Sequence, residues 1–218
     1  MMISILLMKG LLKVMNKMDE QILVIKRDEL FHQAYDFQGF SNDLVIMNNF
    51  ADSLSNKLEV MRRGDAETDI NYKQPIPYML VMVGDKFFAY ERLSNSGESR
   101  LHNKLSMGIG GHMNPLADQW ESNLYENIYR ELNEELHIES DESPQIEILG
   151  YINDELDEVG KVHIGILGLI KYKNGVFIEV KETDQLAGGL YSAEQLLHQD
   201  NYNRLENWSK IVLTELLF

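Results

Sequence analysis

The chain has 218 residues, a formal net charge of −15, 44% hydrophobic residues and no cysteine. This hydrophobic content suffices for a substantial globular core, while the negative charge argues against a nucleic-acid partner, which needs a basic surface. The absence of cysteine excludes disulfides, thiolate zinc sites and cysteine nucleophiles, and it is typical of a reducing, cytoplasmic setting.

The first residues are apolar but do not have the pattern of a membrane segment. Residues 1–17 contain scattered lysines, are too short to span a bilayer, and lack the basic start and cleavage site of a signal peptide. We therefore predict no membrane partner and interpret residues 1–18 as a leader without structure, with Met15 and Met18 as alternative starts. A short amphipathic helix is the alternative interpretation.

The next part of the chain is predicted to form an N-terminal extension over residues 19–75. The β-branched run QILVIKR at 21–27 predicts a strand. Apolar residues at helical spacing predict a helix over 42–62. A polar linker is then expected up to Gln74.

Two strands and a glycine-rich turn follow the linker. The apolar run YMLVMV, the pair Gly84-Asp85 and the run KFFAYERL together predict a β-hairpin. LSMGIGGH, at 105–112, predicts a strand that runs into a turn. No Lys-Ser or Lys-Thr pair follows this turn, which argues against a phosphate-binding P-loop.

Residues 124–138, LYENIYRELNEELHI, predict an amphipathic helix with an unusually acidic face. Apolar residues recur every four positions, at Leu124, Ile128, Leu132 and Leu136. Glu131, Glu134 and Glu135 share the other face, where like charges repel by a few tenths of a kcal/mol per pair. A shared divalent cation turns this repulsion into coordination, so the face is interpreted as a metal site. Ser122 or Asn123 is expected to cap the helix.

Three more strands and a helical end are predicted after the acidic helix. The strand-like runs are QIEILGYI, VHIGILGLIKY and VFIEV, and Asn174-Gly175 between the last two predicts a hairpin. Residues 153–158 are expected to form a solvated acidic loop. His163 is expected to be a packed core histidine. Ser192 is predicted to cap a helix, and residues 202–217 are predicted to form the last one.

The acidic helix also carries a family resemblance. The run from Arg130 to Glu135, RELNEE, resembles the Arg-Glu-X-X-Glu-Glu core of the Nudix box, and Gly110-Gly111 resemble the glycines that open it. With its flanks the similarity extends over residues 76–200, to a bacterial subgroup of MutT-type phosphoesterases. The chain departs from the box in three ways. The separation from glycine to arginine is longer, Ser122 stands at the position of an expected glutamate, and His137 replaces a glycine.

The resemblance implies an α/β fold, the Nudix-type α/β/α sandwich around a mixed sheet, over residues 76–218. It implies Mg²⁺ or Mn²⁺ as cofactor, with the Gly110 carbonyl and the three helix glutamates as metal ligands. Gly111 and His112 are candidate substrate-binding residues, although an exposed loop histidine is the commoner case. Arg130 is expected to orient the carboxylates, with Glu126 or Glu134 as its partner.

The implied reaction is hydrolysis of a phosphoanhydride by metal-activated water, with a phosphorylated small molecule such as a nucleotide as the binding partner. The general base is left open between Glu131, Glu135 and a loop carboxylate, for which Glu182 is the best match and Asp184 the second. A homodimer is left open as well. The alternative function is a catalytically silent Nudix domain that senses a nucleotide or binds a partner. The isomerase branch of the fold is excluded because its chemistry uses a cysteine.

Overall fold

The structure, a computed structural model, describes residues 16–32, 36–92, 104–141, 144–181 and 186–217. The strands within these ranges are β1 Gln21–Lys26, β2 Gly39–Ser41, β3 Glu59–Arg62, β4 Tyr72–Val83, β5 Lys86–Arg92, β6 Leu105–Ser106, β7 Gly108–Ile109, β8 Leu136–Glu139, β9 Gln145–Asn153, β10 His163–Tyr172, β11 Phe177–Val180 and β12 Leu186–Tyr191.

The helices in the same ranges are α1 Arg27–Leu30, α2 Leu44–Lys57, α3 Arg63–Ala66, α4 Trp120–Glu135, α5 Glu158–Val162, α6 Ala193–Leu197, α7 Gln199–Arg204 and α8 Asn207–Leu217. A short 3₁₀ turn, Lys17–Asp19, precedes β1. Among these described helices, none combines the length and the apolar character needed to cross a membrane.

A mixed sheet forms the centre of the molecule. Its main path runs β12-β5-β4-β10-β9-β2, with β1, β3, β6 and β7 attached at the side. β4 and β10 pair in parallel, with Tyr78 opposite Leu167, whereas β9 pairs antiparallel to β10. Parallel pairing at the centre requires coverage of both faces of the sheet. The mixed sheet predicted by the resemblance is thereby confirmed.

Helices cover the two faces of this sheet, and β4 shows how the layers are separated. Met79 and Val81 point into a core that also contains residues of α2 and α4. Tyr78 and Leu80 point into a second core that contains residues of α6, α7 and α8. Successive side chains of a strand face opposite sides, so one apolar strand serves both layers. The predicted α/β/α sandwich is confirmed.

The N-terminal part of the chain joins the same sheet. The strand predicted at 21–27 is present as β1, which pairs with β4 through Ile25 opposite Lys73. The helix predicted over 42–62 is wrong at its end, because α2 stops at Lys57 and residues 59–62 form β3 on the free edge of β1. The residues expected to end that helix instead form α3, and the polar linker predicted up to Gln74 is shorter, because β4 begins at Tyr72. The division of the chain at residue 75 stays a prediction.

The predicted hairpin around Asn174-Gly175 is only half right. Gly175 has φ +92°, so a turn is present, but β11 does not pair with β10. It pairs antiparallel with β8, with Ile178 opposite Ile138, in a separate two-stranded sheet. Both edges of β10 are already occupied, by β4 on one side and β9 on the other, and therefore β11 has to find another strand. This strand is β8, which occupies positions 136–138 that were expected to be helical.

The C-terminal helices largely follow the sequence pattern. Ser192 caps α6 in a capping box with Gln195, as predicted. The helix expected over 202–217 is instead split into α7 and α8. At the break, Leu205 forms a bridge with Leu105 of β6, so the backbone there pairs with a strand and leaves the helix. Leu205 and Val212 are buried as expected, whereas Leu216 is 38% exposed.

The acidic segment at 153–158 was expected to be solvated, and this is right only for its second half, because residues 156–158 are exposed. Asn153 and Asp154 are buried. Lys73 of β4 is fully buried beneath them and donates to Asn153 Oδ1 at 3.0 Å, to the carbonyl of Gly160 at 2.8 Å and to Glu155 Oε1 at 2.5 Å. The segment is therefore anchored to the sheet by a lysine that lies far away in the sequence.

Candidate functional site

Helix α4 starts earlier than the sequence pattern predicts. It begins at Trp120, and the residue before it, Gln119, makes no side-chain capping hydrogen bond. Ser122 is exposed within the first turn, so its predicted capping role is wrong. Asn123 is buried, and its Oδ1 accepts hydrogen bonds from the backbone N–H groups of Leu116 and Ala117 at 2.7 and 2.9 Å. These bonds hold the longer connection against the helix.

The apolar stripe fixes the rotation of α4 about its axis. Leu124, Ile128 and Leu132 are buried in the core, as predicted. The acidic residues on the other side differ in exposure: Glu131 is buried, Glu135 is half-buried and Glu134 is exposed. The buried glutamate therefore points towards the glycine-rich turn, and its neighbours lie nearer to solvent.

The glycine-rich turn touches the acidic face at Gly111. A Cβ atom on Gly111 would lie 2.6 Å from Glu131 Oε1 and 3.0 Å from Oε2, closer than real side chains approach. The carboxylate therefore occupies the space that any other residue at position 111 would fill. The turn and the helix are brought together as the sequence predicted.

Gly110 is required for a different close approach. A Cβ atom here would lie 1.7 Å from the carbonyl oxygen of Pro77 in β4. β7 pairs with β4 immediately before this point, with Ile109 opposite Met79. The chain must leave the strand pair in contact with backbone, which only glycine permits. This contact sets where the turn meets α4.

Arg130 links the turn to the carboxylates. Its guanidinium lies 2.7 Å from Glu131 Oε1 and 3.2 Å from Glu134 Oε2, and Nη2 donates to the carbonyl of His112 at 2.8 Å. Of Glu126 and Glu134, the two partners proposed for Arg130 from the sequence, Glu134 forms the ion pair. Glu126 is exposed and forms no ion pair with Arg130 in the described part of the chain. The expected role of Glu126 in positioning Arg130 is wrong.

Asn127 is a residue of this site that the sequence reasoning missed. It is fully buried, and its side chain accepts from the backbone N–H of Asn114 at 2.8 Å and donates to the Asn114 carbonyl at 2.9 Å. It also accepts from Arg130 at 3.3 Å. The reciprocal pair ties the residues after the glycine-rich turn to the helix. The available signal was a polar residue interrupting the buried side of α4.

Glu135, the last predicted carboxylate of the acidic face, is the final residue of α4. The backbone carbonyl of Glu135 accepts from the N–H of Lys181 at 2.8 Å. Lys181, directly after β11, therefore lies beside the C-terminal end of α4. Glu182 and Asp184 lie outside the described residues. The general base and the complete ligand set stay predictions.

The electrostatics of Glu131 fit a bound cation. Burial raises the pKa of the Glu131 carboxyl, while the adjacent Arg130 opposes this shift. A cation near the carboxylate favours its charged form, because an opposite charge lowers the pKa. Oxygen donors from a carboxylate next to a bare glycine backbone are the donor set that Mg²⁺ and Mn²⁺ take. The residues present thus fit the metal that the resemblance implies.

A second cluster lies on the other side of the turn. His112, a candidate substrate-binding residue for which an exposed loop histidine was the commoner case, has only 13% of its side chain exposed. Its role in substrate binding stays a prediction. Its Nε2 lies 3.4 Å from Glu67 Oε1 and 3.2 Å from His163 Nε2. His163 is buried, as predicted for a core histidine. The cluster joins an N-terminal residue, the turn and strand β10.

The charges in this cluster are set by burial and by the glutamate. Burial lowers the pKa of His163 to about 4, and His112 next to it acts in the same direction. Burial also lowers the pKa of His112. The hydrogen bond from His112 is the main cause that lowers the pKa of Glu67 to about 2. At neutral pH the cluster is two neutral imidazoles and one carboxylate.

The place of Glu67 in this cluster could not be predicted from the sequence. It follows α3 in a segment predicted to be a linker, and no local pattern connects it with His112. Nearby, Arg63 lies 3.5 Å from Glu67 and 3.6 Å from Glu20, and Glu20 accepts from Asn114 at 3.1 Å. The N-terminal extension thus supplies charged side chains to the edge of the site.

Comparisons with known proteins decide the family. No protein-family model matches the chain. Protein YmaB of Bacillus subtilis strain 168 is 48% identical over 203 residues, which cover 91% of this chain and 98% of that protein. The crystal structure of Tm1382, assigned to the Nudix hydrolases, has a TM-score of 0.74 and 32% identity, covering 91% of this chain and 98% of its own. The chain belongs to the Nudix hydrolases.

This Nudix hydrolase is therefore a phosphohydrolase, whose general reaction is hydrolysis of a phosphoanhydride. The structure of DR0079 from Deinococcus radiodurans covers 75% of this chain and 94% of its own, with a TM-score of 0.52 and 14% identity. At this identity the likeness shows the fold alone. Both solved structures match the sandwich described above.

Gly111→Ala tests the contact between the turn and the helix of this Nudix hydrolase. The added Cβ would displace the Glu131 carboxylate, the far end of a flexible side chain. We expect kcat/KM to fall by about 10-fold to 100-fold, while the melting temperature changes little. Gly189→Ala is the matched control, because its Cβ would meet its nearest neighbour at an ordinary 3.7 Å. A Gly111→Ala variant as active as Gly189→Ala would contradict the importance of the Glu131 position.

Proposed function

We propose that this Nudix hydrolase cleaves a phosphoanhydride bond in a nucleoside diphosphate derivative with Mg²⁺ or Mn²⁺ as cofactor. Glu131, Glu134, Glu135 and the carbonyl of Gly110 would hold the cation. The observation that carries the proposal is the contact of the buried Glu131 carboxylate with Gly111, with Arg130 bridging Glu131 and Glu134. This places the acidic face directly against a backbone turn with no side chain in between.

The proposed chemistry divides between the cation and the protein. When bound, the cation neutralises phosphate oxygens and lowers the pKa of a water molecule. Arg130 orients two of the carboxylates and fixes the turn through the His112 carbonyl. A carboxylate, either Glu131, Glu135 or Glu182, accepts the proton of the attacking water.

The charge of the whole protein supports a cation-dependent reaction. With a net charge of −15, the chain repels a phosphorylated substrate unless cations offset the negative field. We infer a nucleotide-linked small molecule as substrate, with Gly111 at the binding surface. The absence of cysteine supports a cytoplasmic setting.

The test is a panel of substrates with and without metal. Nucleoside triphosphates, nucleotide sugars, dinucleoside polyphosphates and non-nucleotide diphosphates are incubated with the purified full chain in Mg²⁺ or Mn²⁺, and phosphate or pyrophosphate release is measured. We expect turnover of at least one class, its loss with excess chelator and its recovery when metal is added back.

Two results would contradict the proposal. Turnover that persists in excess chelator would exclude the cation from the reaction. Metal-dependent binding of a nucleotide without turnover, followed by calorimetry, would favour the silent sensing domain instead.

A further inference from the structure

The cluster of Glu67, His112 and His163 is not used by the proposed reaction. The three residues come from the segment after α3, from the glycine-rich turn and from β10. Each offers one ligand atom, and these atoms all lie within 4.8 Å of one another. Glutamate and histidine are the side chains that bind zinc and related divalent metals when cysteine is absent.

Two of the three distances between these atoms match the geometry of a four-coordinate ion, and the third is at most 4.8 Å. With metal–nitrogen bonds of about 2.0–2.1 Å, the ligands of a tetrahedral ion lie about 3.3 Å apart. In the structure His112 Nε2 lies 3.2 Å from His163 Nε2 and 3.4 Å from Glu67 Oε1. We propose that Glu67, His112 and His163 bind a divalent transition-metal ion such as Zn²⁺, at a site separate from the acidic helix.

The surroundings of His163 leave the correct nitrogen available. His163 Nδ1 lies 2.6 Å from the carbonyl oxygen of Val159, which can only accept, so Nδ1 carries the hydrogen. In the neutral ring Nε2 then has a free lone pair, and this atom faces His112. The carbonyl of His163 also accepts from Lys73 at 3.2 Å. The contact of Nδ1 with the Val159 carbonyl is of the kind that orients the histidine ligands of metal sites.

Without an ion, the same three atoms share a single hydrogen. His112 Nε2–H then donates to Glu67 or to the lone pair of His163, and the cluster is held together by hydrogen bonds. An ion takes the place of this hydrogen at Nε2, and the hydrogen of the neutral His112 ring then sits on Nδ1, so no net proton is released at neutral pH. Arg63, 3.5 Å from Glu67 Oε1, weakens the attraction for a cation. Two imidazoles nevertheless favour Zn²⁺, Co²⁺ or Ni²⁺ over Mg²⁺.

Three protein ligands leave a fourth position for water or a substrate oxygen. The cluster is also connected to the acidic helix, because Arg130 donates to the carbonyl of His112. An ion on His112 would therefore restrain the turn that the Glu131 carboxylate contacts.

The experiment titrates Co²⁺ into the purified full chain after chelator treatment and chelator removal, and follows the visible absorption of tetrahedral Co²⁺. We expect one equivalent to bind with this spectrum and Zn²⁺ to displace it. His163→Gln and Glu67→Gln should each weaken binding by about tenfold or more. Glu134→Gln, which alters a proposed cation ligand of the acidic helix, should give the same tetrahedral Co²⁺ spectrum as the wild type. Circular dichroism confirms folding of each variant.

Three outcomes would overturn the assignment. They are the absence of tetrahedral Co²⁺ in the wild type, wild-type affinity in both folded ligand variants, and loss of the spectrum in Glu134→Gln. If one ligand variant does not fold, the other and the wild-type spectrum decide. None of these readouts depends on hydrolysis, so failure here leaves the proposed function untouched.

Discussion

Glu131→Gln is expected to lower turnover by about 100-fold to 1,000-fold while the protein stays folded. The amide keeps the shape of the side chain against Gly111 but removes the charge that a cation needs. Burial raises the pKa of the Glu131 carboxyl, so the fold itself disfavours the ionised form. The neutral variant should therefore be as stable as the wild type, or more stable. Glu134→Gln and Glu135→Gln should also lower turnover, because each weakens a proposed cation ligand. Folding should be kept or improved, because repulsion on that face is relieved.

Glu126→Gln is the matched control for these variants. It removes a charge of the same kind from the same helix, but Glu126 is exposed and lies one turn before Arg130. We expect near wild-type kcat/KM on any substrate that the protein hydrolyses. If the three acidic-face variants are as active as this control, the helix does not hold the catalytic metal.

Lys73→Met is expected to destabilise the protein by about 3–5 kcal/mol, seen as a large drop in the urea midpoint. The lysine is fully buried and donates to Asn153 and to the carbonyls of Gly160 and His163. Methionine fills a similar volume but leaves these buried acceptors without their donor. Burial lowers the pKa of Lys73, and its contact with Glu155 opposes that shift.

Lys26→Met is the control for Lys73. Its ammonium pairs with Glu59 at 3.2 Å, with both side chains nearly half exposed. Exposed pairs of this kind contribute little to stability, so the unfolding midpoint should stay close to that of the wild type. Equal midpoints for the two variants would show that the buried network around Lys73 is not needed for stability.

Several elements could be predicted because their signals are local. The apolar stripe of α4 determines which side of the helix is buried, and it was predicted correctly from Leu124, Ile128 and Leu132 at fixed spacing. Gly84, with φ +63°, makes the turn between β4 and β5 as expected. Ser192 and Gln195 form a capping box within four residues. In each case the interacting groups are close in the chain, so their spacing alone is informative.

Other elements depend on partners that are remote in the sequence. The end of α2, the strand β3 and the pairing of β11 with β8 follow from which strand edges are free once the sheet has formed. No local pattern contains this information. The start of α4 was misplaced for a related reason, since Asn123 holds the preceding connection instead of capping the helix.

For the functional site, the sequence by itself determined the acidic face, the glycine-rich turn and the expectation that they meet. Only the tertiary structure brings Glu67 and His163 next to His112. It also buries Asn153, in a segment expected to be solvated, where Asn153 accepts a hydrogen bond from Lys73. The physical reason is the same in both cases. The role of a single side chain depends on which groups the fold places within hydrogen-bonding distance. His112 and His163 are 51 positions apart in the sequence, and only the sheet and the turn packed on it bring their Nε2 atoms to 3.2 Å from each other.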